Sequence, residues 1–483
     1  MKKITNNIKL IVLLLFSITF VSCEGSLDIN EDPLAATRID ASLLYPQFFL
    51  QMSSNRTIEL NAVNIQAQQW ASGGSAGVFR NPERYSISPF TIGNNFTGIY
   101  TGVLRNLSLA RGLIEENQPA NLNSIGQIKV FEAFAYLHIT QIYGDAPFTE
   151  AIQTAEFPFP RFDAQEDLLR GVVGRLDEAI GLLSSPTDIV TNADLIYSGD
   201  RNNWIRFANS LKLKALMLIA NRDPQSVAAE IQALSTNPLL ILDNSQNAYL
   251  RYPGTVGQSN PIWQTLDNFA GGRNPFWYAG STLVNLMNAN NDPRRATYFD
   301  EEDGGVYVGQ DQGVFSPTGI SNISLNIIRP DLEDRFATAA ETNFFLAEAV
   351  LKGYITGNAQ SFYRAGLEAS LNSYDGAFGG ENGEIAQADK DAYLAARGSI
   401  SELNINDAIR RVNEEQYVAL FTRGLEAWTH WRRTKVPDFQ LPTGALLSDI
   451  IRRYSYPTDE IVANENSPES SLPLTTPMWF EQP

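Results

Sequence analysis

The stretch "ETNFFLAEAVLKGYITGNAQSFYRAGLEASLNSYD" (341–375) indicates the fold class of this chain. Apolar residues recur in it at intervals of three and four, which is typical of two amphipathic helices joined by a short turn. Small residues on both helices would allow a close approach: they are Ala347, Ala349, Ala365 and Ala369. The stretch therefore predicts a packed helical pair.

Helical periodicity of the same kind recurs along the chain, over residues 124–145, 163–183, 202–221, 223–234 and 406–434. We expect Gly144 and Pro147 to end the first of these helices. Asp163 and Glu166 have capping-box spacing at the start of the second. The pair at 341–375 resembles a degenerate tetratricopeptide unit, but the other pairs do not repeat at the ideal 34-residue spacing. The prediction is an all-α fold with irregular insertions.

Two stretches, 70–100 and 251–280, show neither helical nor alternating order and are rich in Gly, Asn and Pro, so they are predicted to be loops. Each holds six aromatic residues. Carbohydrate binding needs flat apolar surfaces together with planar amide or guanidinium groups, and both loops supply them. The candidate ligand-binding residues are Trp70, Arg80, Tyr85, Asn268, Arg273, Trp277 and Tyr278; Trp263, Phe269 and Asn274 lie among them. The alternative is that these rings fill a gap between the irregular lobe and the helices.

The N-terminus has the order of a bacterial export signal. Lys2, Lys3 and Lys9 precede an apolar run, residues 11–21, that is too short to span a bilayer. Cys23, the only cysteine, follows at once, and this arrangement resembles a lipobox. We expect residues 1–22 to be cleaved and Cys23 to carry the lipid anchor. Residues 23–40 should form a tether. Residues 41–483 should form one globular domain, with irregular insertions near 70–100 and 240–335.

Charge narrows the choice of ligands and partners. The formal charge is −18, and removal of residues 1–22, with three lysines and no acid, takes it to −21. Such a surface repels nucleic acid and anionic membranes, so membrane attachment must come from the lipid. The same field favours neutral glycans over uronic-acid polymers. Two isolated histidines predict no catalytic zinc site, and no cofactor or metal is expected.

Several blocks of sequence, in order, resemble the SusD/RagB family of outer-membrane nutrient-binding lipoproteins. The blocks are "YLHITQIYGDAPFTEA" (136–151), "WIRFANSLKLKALM" (204–217), "LMNANNDPRRATYF" (286–299), "EEQYVALFTRGLEAWTHWRRTKVP" (414–437) and "IIRRYSYPTDEIVANE" (450–465). Within them, Asp145, Asp292 and Arg294 invite a catalytic interpretation, but their positions at helix ends and turns favour a structural role.

The resemblance implies a SusD-like fold with tetratricopeptide-like helical pairs and a loop-rich ligand-binding lobe. It further implies a surface-exposed lipoprotein that binds oligosaccharide without catalysis and passes it to a SusC-like TonB-dependent transporter in the outer membrane. The alternatives are a peptide-binding lipoprotein of the same architecture, a glycoside hydrolase, which would need paired carboxylates in a cleft, and a purely structural lipoprotein.

Overall fold

Helices dominate the computed structural model, which describes residues 40–59, 61–73, 77–187, 193–315, 318–375, 384–468 and 472–481. The predicted signal peptide, Cys23 and nearly all of the tether lie outside these residues. Residues 41–483 form one compact unit.

The α-helices in the described part of the chain are α1 (Tyr45–Ser54), α2 (Asn61–Gln66), α3 (Gly77–Glu83), α4 (Pro89–Thr97), α5 (Arg105–Asn117), α6 (Leu122–Tyr143), α7 (Gln165–Leu183), α8 (Arg201–Ala220), α9 (Pro224–Ser235), α10 (Pro261–Ala270), α11 (Ser281–Ala289), α12 (Arg295–Tyr298), α13 (Ala339–Leu351), α14 (Ala359–Leu371), α15 (Gln387–Arg397), α16 (Ile405–Ala419), α17 (Gly424–Thr434) and α18 (Thr458–Ala463). Two π-helices, Asn55–Glu59 and Gly98–Leu104, and two 3₁₀ helices, Ala41–Leu44 and Asn244–Gln246, complete the helical structure.

In the part of the chain that the structure describes, six short strands form three two-stranded antiparallel sheets. The strands are β1 (Trp70–Ser72), β2 (Ala146–Pro147), β3 (Phe162–Asp163), β4 (Ala248–Leu250), β5 (Trp277–Ala279) and β6 (Asp334–Ala337). The pairs are β1 with β5, β2 with β3, and β4 with β6. Each sheet therefore joins segments that are distant in sequence or closes a loop at the end of a helix.

Consecutive helices pack as pairs, and this confirms the predicted helical architecture. α6 packs against α7, α7 against α8, and α13 against α14. Side-chain N-caps define several starts, because the side chains of Asp200, Asp223, Thr338 and Asn358 accept the backbone N–H three residues on. Gly144, at φ +83°, ends α6 as predicted.

Details of the helices differ from the sequence-based prediction in three places. The helix predicted over 406–434 is broken between α16 and α17, where Thr422 has φ +68°. Asp163 does not cap α7 but lies in β3, where its carboxylate accepts the N–H groups of Phe148 and Thr149. Gly366, which the prediction did not name, is also a small residue at the contact of α13 with α14, because a Cβ there would lie 2.9 Å from the Phe344 ring.

The two stretches predicted to be loops also contain regular structure, and that prediction was wrong. Residues 70–100 hold β1, α3, α4 and the start of a π-helix, while residues 251–280 hold α10 and β5. These elements are too short to produce a recognisable period, and β1 and β5 depend on pairing with each other.

Buried ion pairs cross-link the helices at the centre of the molecule. Arg56 Nη1 lies 2.9 Å from Glu426 Oε1, and Arg423 Nη2 lies 2.8 Å from Glu341 Oε2. Burial alone would raise the pKa of Glu426, but Arg56, Lys214 and Arg423 outweigh it and hold that pKa below its ordinary value. Removing one partner would leave a buried charge, so these contacts fix the helix arrangement.

Candidate functional site

The sheet of β1 and β5 brings the two predicted aromatic loops together. Trp277 is paired with Ser72, Tyr278 with Ala71, and Ala279 with Trp70. Since side chains alternate along a strand, Trp277 and Tyr278 must lie on opposite sides of this sheet. Only one of these two adjacent rings can therefore lie on the outer side of the sheet.

Trp70 and Trp277 belong to the core, which corrects the prediction that they bind ligand. Each is 0% exposed, and their ring centroids are 5.5 Å apart. Tyr85 is corrected in the same way, because it is buried within the main core cluster. Asn274, also considered from its chemistry, is buried too: its Nδ2 donates to the carbonyl oxygens of Trp277 and Ile323. All four residues support the site from below.

An exposed group of side chains lies at α10 and β5. Phe269 is 78% exposed, Trp263 and Tyr278 are half-buried, and Asn268 and Arg273 are exposed. The Tyr278 ring lies over Gly73, where a Cβ would come within 2.5 Å of ring atom Cε2. Glycine at 73 is therefore required for this ring position. Of the predicted ligand residues in this stretch, Asn268 and Arg273 are exposed and Tyr278 is half-buried, so these three remain accessible.

A second group, in segments outside the β1–β5 sheet, consists of Arg80 in α3, Arg84 directly after it and Phe315 in a loop. The guanidinium carbons of Arg80 and Arg84 lie 4.3 Å and 4.4 Å from the centroid of the half-buried Phe315 ring. Phe315 has φ +59°, an uncommon backbone conformation for a bulky residue. Arg84 and Phe315 were not among the predicted ligand residues, because neither the φ value nor the long-range contact leaves a sequence signal.

Backbone and side-chain bonds attach this second group to β1. The side chains of Gln310 and Gln312 donate to the carbonyl oxygens of Ser72 and Trp70, each at 2.9 Å. Arg84 Nη2 donates to the Gly313 carbonyl oxygen at 2.7 Å. The loop that carries Phe315 is therefore fixed to the strand whose partner carries Tyr278. We call the two groups together the β1–β5 face: Arg80, Arg84, Trp263, Asn268, Phe269, Arg273, Tyr278 and Phe315.

A buried carboxyl group lies beneath the β1–β5 face. Ser72 Oγ donates to Glu83 Oε2, and Glu83 is almost fully buried. Burial raises the pKa of Glu83 to about 7, although hydrogen bonds from Ser72 and Gly313 oppose the rise. At the face itself, burial and then the Glu302 carboxylate raise the pKa of Tyr278. The Tyr278 phenol is therefore a neutral hydrogen-bonding group at ordinary pH.

The charged residues of the quoted sequence blocks have structural partners, as the sequence indicated. Arg294 Nη2 lies 2.5 Å from Asp292 Oδ2 and 2.6 Å from Glu415 Oε2, all three buried. Asp145 Oδ1 accepts the N–H of Gln165 at the start of α7. These contacts connect loops to helices.

Within the described residues, no group of three or more His, Cys, Asp and Glu side chains could hold a metal ion. None of the helices in that part of the chain combines the length and apolar character that crossing a membrane requires.

The architecture, with helical pairs on one side and short strands joining long loops, is that of SusD-like proteins. The chain belongs to the SusD-like family whose model is described as "Starch-binding associating with outer membrane", and which matches residues 33–457. The fold class predicted from the sequence and the family resemblance are thereby confirmed.

Solved structures share this fold at low sequence identity. A SusD homologue from Bacteroides fragilis NCTC 9343 is 22% identical, with a TM-score of 0.75, and the match covers 92% of this chain and 99% of that one. A chitin-binding SusD homologue from Flavobacterium johnsoniae is 18% identical, with a TM-score of 0.73 and coverage of 90% and 98%. A protein described as chitin-binding is 22% identical, with a TM-score of 0.75 and coverage of 88% and 94%. Among the curated proteins, none matches this chain.

Proposed function

We propose that this protein is a surface-exposed outer-membrane lipoprotein that binds a neutral oligosaccharide at the β1–β5 face without catalysis. The observation that carries the proposal is the exposed ring of Phe269, with the half-buried rings of Trp263 and Tyr278, in the stretch that also holds the exposed side chains of Asn268 and Arg273. Flat rings suit the C–H faces of sugars, and amide, guanidinium and phenol groups suit their hydroxyls. The family description and the chitin-binding structural relatives support the same ligand class.

The route of the ligand after binding is also part of the proposal. Cys23 carries the lipid that attaches the protein to the outer membrane, and the bound glycan passes to a SusC-like TonB-dependent transporter. The support for attachment through Cys23 is the N-terminal sequence and the acidic composition, which disfavours direct adsorption to anionic lipid.

An array of immobilised polysaccharides, with starch, chitin and a polyuronate among them, tests the ligand class. We expect retention on a neutral glycan, weaker retention on the polyuronate at low salt, and no release of reducing sugar from any of them. Retention only on the polyuronate would contradict the neutral-ligand proposal, and released sugar would favour the hydrolase alternative.

Detergent-phase partitioning of the protein made in a bacterial host tests the anchor. The wild-type chain should enter the detergent phase and the Cys23→Ala variant should not, since the proposal assigns attachment to the lipid on this residue alone. Equal partitioning of the two forms would place the anchor elsewhere.

A further inference from the structure

A groove of about 950 Å³ runs along α5, on elements that contribute nothing to the β1–β5 face. Its walls come from the end of α4, the π-helix Gly98–Leu104, α5, the segment 147–160 and α18. We call it the α5 groove. Its volume is in the range of pockets that hold ligands, and no residue of the candidate glycan site lines it.

The lining of the α5 groove combines aliphatic side chains with the hydroxyl groups of Thr97, Thr101, Ser108 and Thr154. Leu109, which is 47% exposed, lines it together with Leu113, Ala151 and Ile152. Two rings reach the groove, but Phe96 is almost fully buried, and the Tyr100 hydroxyl already donates to the Pro147 carbonyl oxygen at 2.7 Å. The groove thus offers no fully exposed ring on which a sugar could stack, and its apolar surface suits aliphatic side chains.

Two unusual backbone features shape the walls of the groove. The π-helix Gly98–Leu104 places Tyr100 and Thr101 in the lining, and π-helical turns often occur at functional sites. Ile152, on the opposite segment, has φ +63°, which is strained for a β-branched residue. A strained backbone conformation persists only where the surrounding contacts hold it in place. The strained residue and the π-helix line the same groove.

The charges around the groove are mostly negative. Glu116 and Glu460 line it, and the adjacent exposed residues Glu115, Glu156 and Asp459 add further carboxylates. The adjacent cation Arg161 lies within 3.6 Å of Glu150 and 3.5 Å of Asp163, which offset its charge. Among the described residues that line the groove, Arg105 is the single cation. The chain as a whole carries −18, so the local and the long-range fields both favour a cationic ligand.

We propose that the α5 groove binds an extended segment of a partner protein that carries an aliphatic side chain flanked by Lys or Arg. The aliphatic side chain fills the apolar floor at Leu109 and Ile152, and the flanking cations face Glu116 and Glu460. The proposal goes beyond glycan binding and stands on residues that the glycan proposal does not use.

Gly112 provides a way to block the groove without disturbing the fold. It lies on the groove side of α5, and a Cβ at this position meets no atom within 4 Å. Leucine has a higher helix propensity than glycine, so Gly112→Leu should fill space in the groove while α5 remains folded. Gly181 is a matched control, since it is an exposed glycine of α7 with the same open surroundings and does not line the groove.

The test measures fluorescence anisotropy of labelled octapeptides with the purified full chain. The probes are N-acetylated and C-amidated, like an internal segment of a protein, with a central Leu flanked by Lys. Two control probes replace the flanking Lys by Glu, or the central Leu by Ser. We expect the Leu–Lys probe to bind at least tenfold more tightly than either control, and its affinity to fall with added salt.

We expect the two glycine variants to behave differently. Gly112→Leu should weaken binding of the Leu–Lys probe at least tenfold, and Gly181→Leu should leave binding of that probe unchanged. The double variant Glu116→Gln, Glu460→Gln should weaken it too and should reduce its salt dependence. Melting curves check that each variant is folded, and the glutamine variant tests the groove independently of any change at Gly112.

Two results would overturn the proposal: equal binding of all three probes, or equal losses for the two glycine variants.

Discussion

The β1–β5 face and the α5 groove are two candidate ligand surfaces of this molecule, and their chemistry differs. The face presents Phe269 and Tyr278 with amide and guanidinium groups, and the Glu302 carboxylate acts on Tyr278. The groove presents leucine, isoleucine and alanine together with hydroxyl side chains, two carboxylates and one arginine. A flat sugar needs rings with neutral or cationic hydrogen-bonding groups, whereas an aliphatic side chain beside a cation needs the second arrangement. One fold can therefore hold two surfaces that select different ligands.

The largest expected effect concerns Trp277. A substitution at this residue shows whether it supports the fold beneath the face or contacts the ligand. Trp277→Ala should lower the free energy of unfolding by about 3–5 kcal/mol, because a fully buried ring is lost from its packing against Trp70. Urea unfolding measures this effect. Tyr278→Ala is the adjacent control and should cost much less, since its ring is half-buried. Equal losses of stability for the two variants would contradict the assignment of their sides.

The next largest effect is a pH dependence of the free energy of unfolding, which we expect from Glu83 beneath the face. The folded-state pKa of about 7 lies above the ordinary value of 4.5, so folding favours the protonated carboxyl. The contribution of Glu83 to stability is complete below pH 4.5 and is lost as the pH rises through 7, by about 3 kcal/mol in total.

The Glu83→Gln variant isolates this contribution from that of other carboxyls. It has no carboxyl to ionise, so its free energy of unfolding should exceed that of the wild type increasingly from pH 5 to pH 8. Urea titrations of both proteins across this range give the difference. A difference that stays constant with pH would show that Glu83 does not titrate in the folded protein near neutrality.

A smaller effect is expected on glycan affinity at Phe269. Phe269→Ala should weaken glycan binding by about 1–2 kcal/mol, which is about five- to thirtyfold, with almost no change in thermal midpoint. Phe159→Ala is the matched control, because Phe159 is 46% exposed and adjoins Pro160 of the α5 groove. Isothermal titration with the glycan identified on the array distinguishes them, and equal affinities for the two variants would remove Phe269 from the site.

The smallest expected effect concerns the stability of α5, the helix that lines the groove. Gly112→Leu should raise the free energy of unfolding by up to about 1 kcal/mol through helix propensity, and Gly181→Leu should do the same. Thermal unfolding of both variants measures it. A clear destabilisation by Gly112→Leu alone would mean that the groove is packed more closely than the structure describes.

The helices of this protein could be predicted from sequence because local periodicity determines them. The pair α13 and α14 and the long helices α6 and α8 follow apolar spacing and capping residues closely. The break between α16 and α17 was missed, because the apolar spacing continues across it and the left-handed conformation of Thr422 has no local signature.

The candidate site was predicted less well, since it depends on pairing between distant segments. Trp70 and Trp277 looked like loop aromatics until the pairing of β1 with β5 placed both in the core. Tyr278 remains a candidate ligand residue because side chains alternate along β5, which puts its ring on the opposite side from Trp277. Phe315 and Arg84 were missed because their contact is made in space and not along the chain.

The most direct test of the central claim compares glycan affinity in two variants, the double variant Phe269→Ala, Tyr278→Ala and the groove variant Gly112→Leu. Titration calorimetry of folded protein with the glycan selected on the array gives both values. The double variant should lose at least tenfold in affinity, because both exposed rings are removed, while Gly112→Leu should bind as the wild type does. Unchanged affinity in the double variant, together with a loss in Gly112→Leu, would contradict the assignment and place the glycan in the α5 groove.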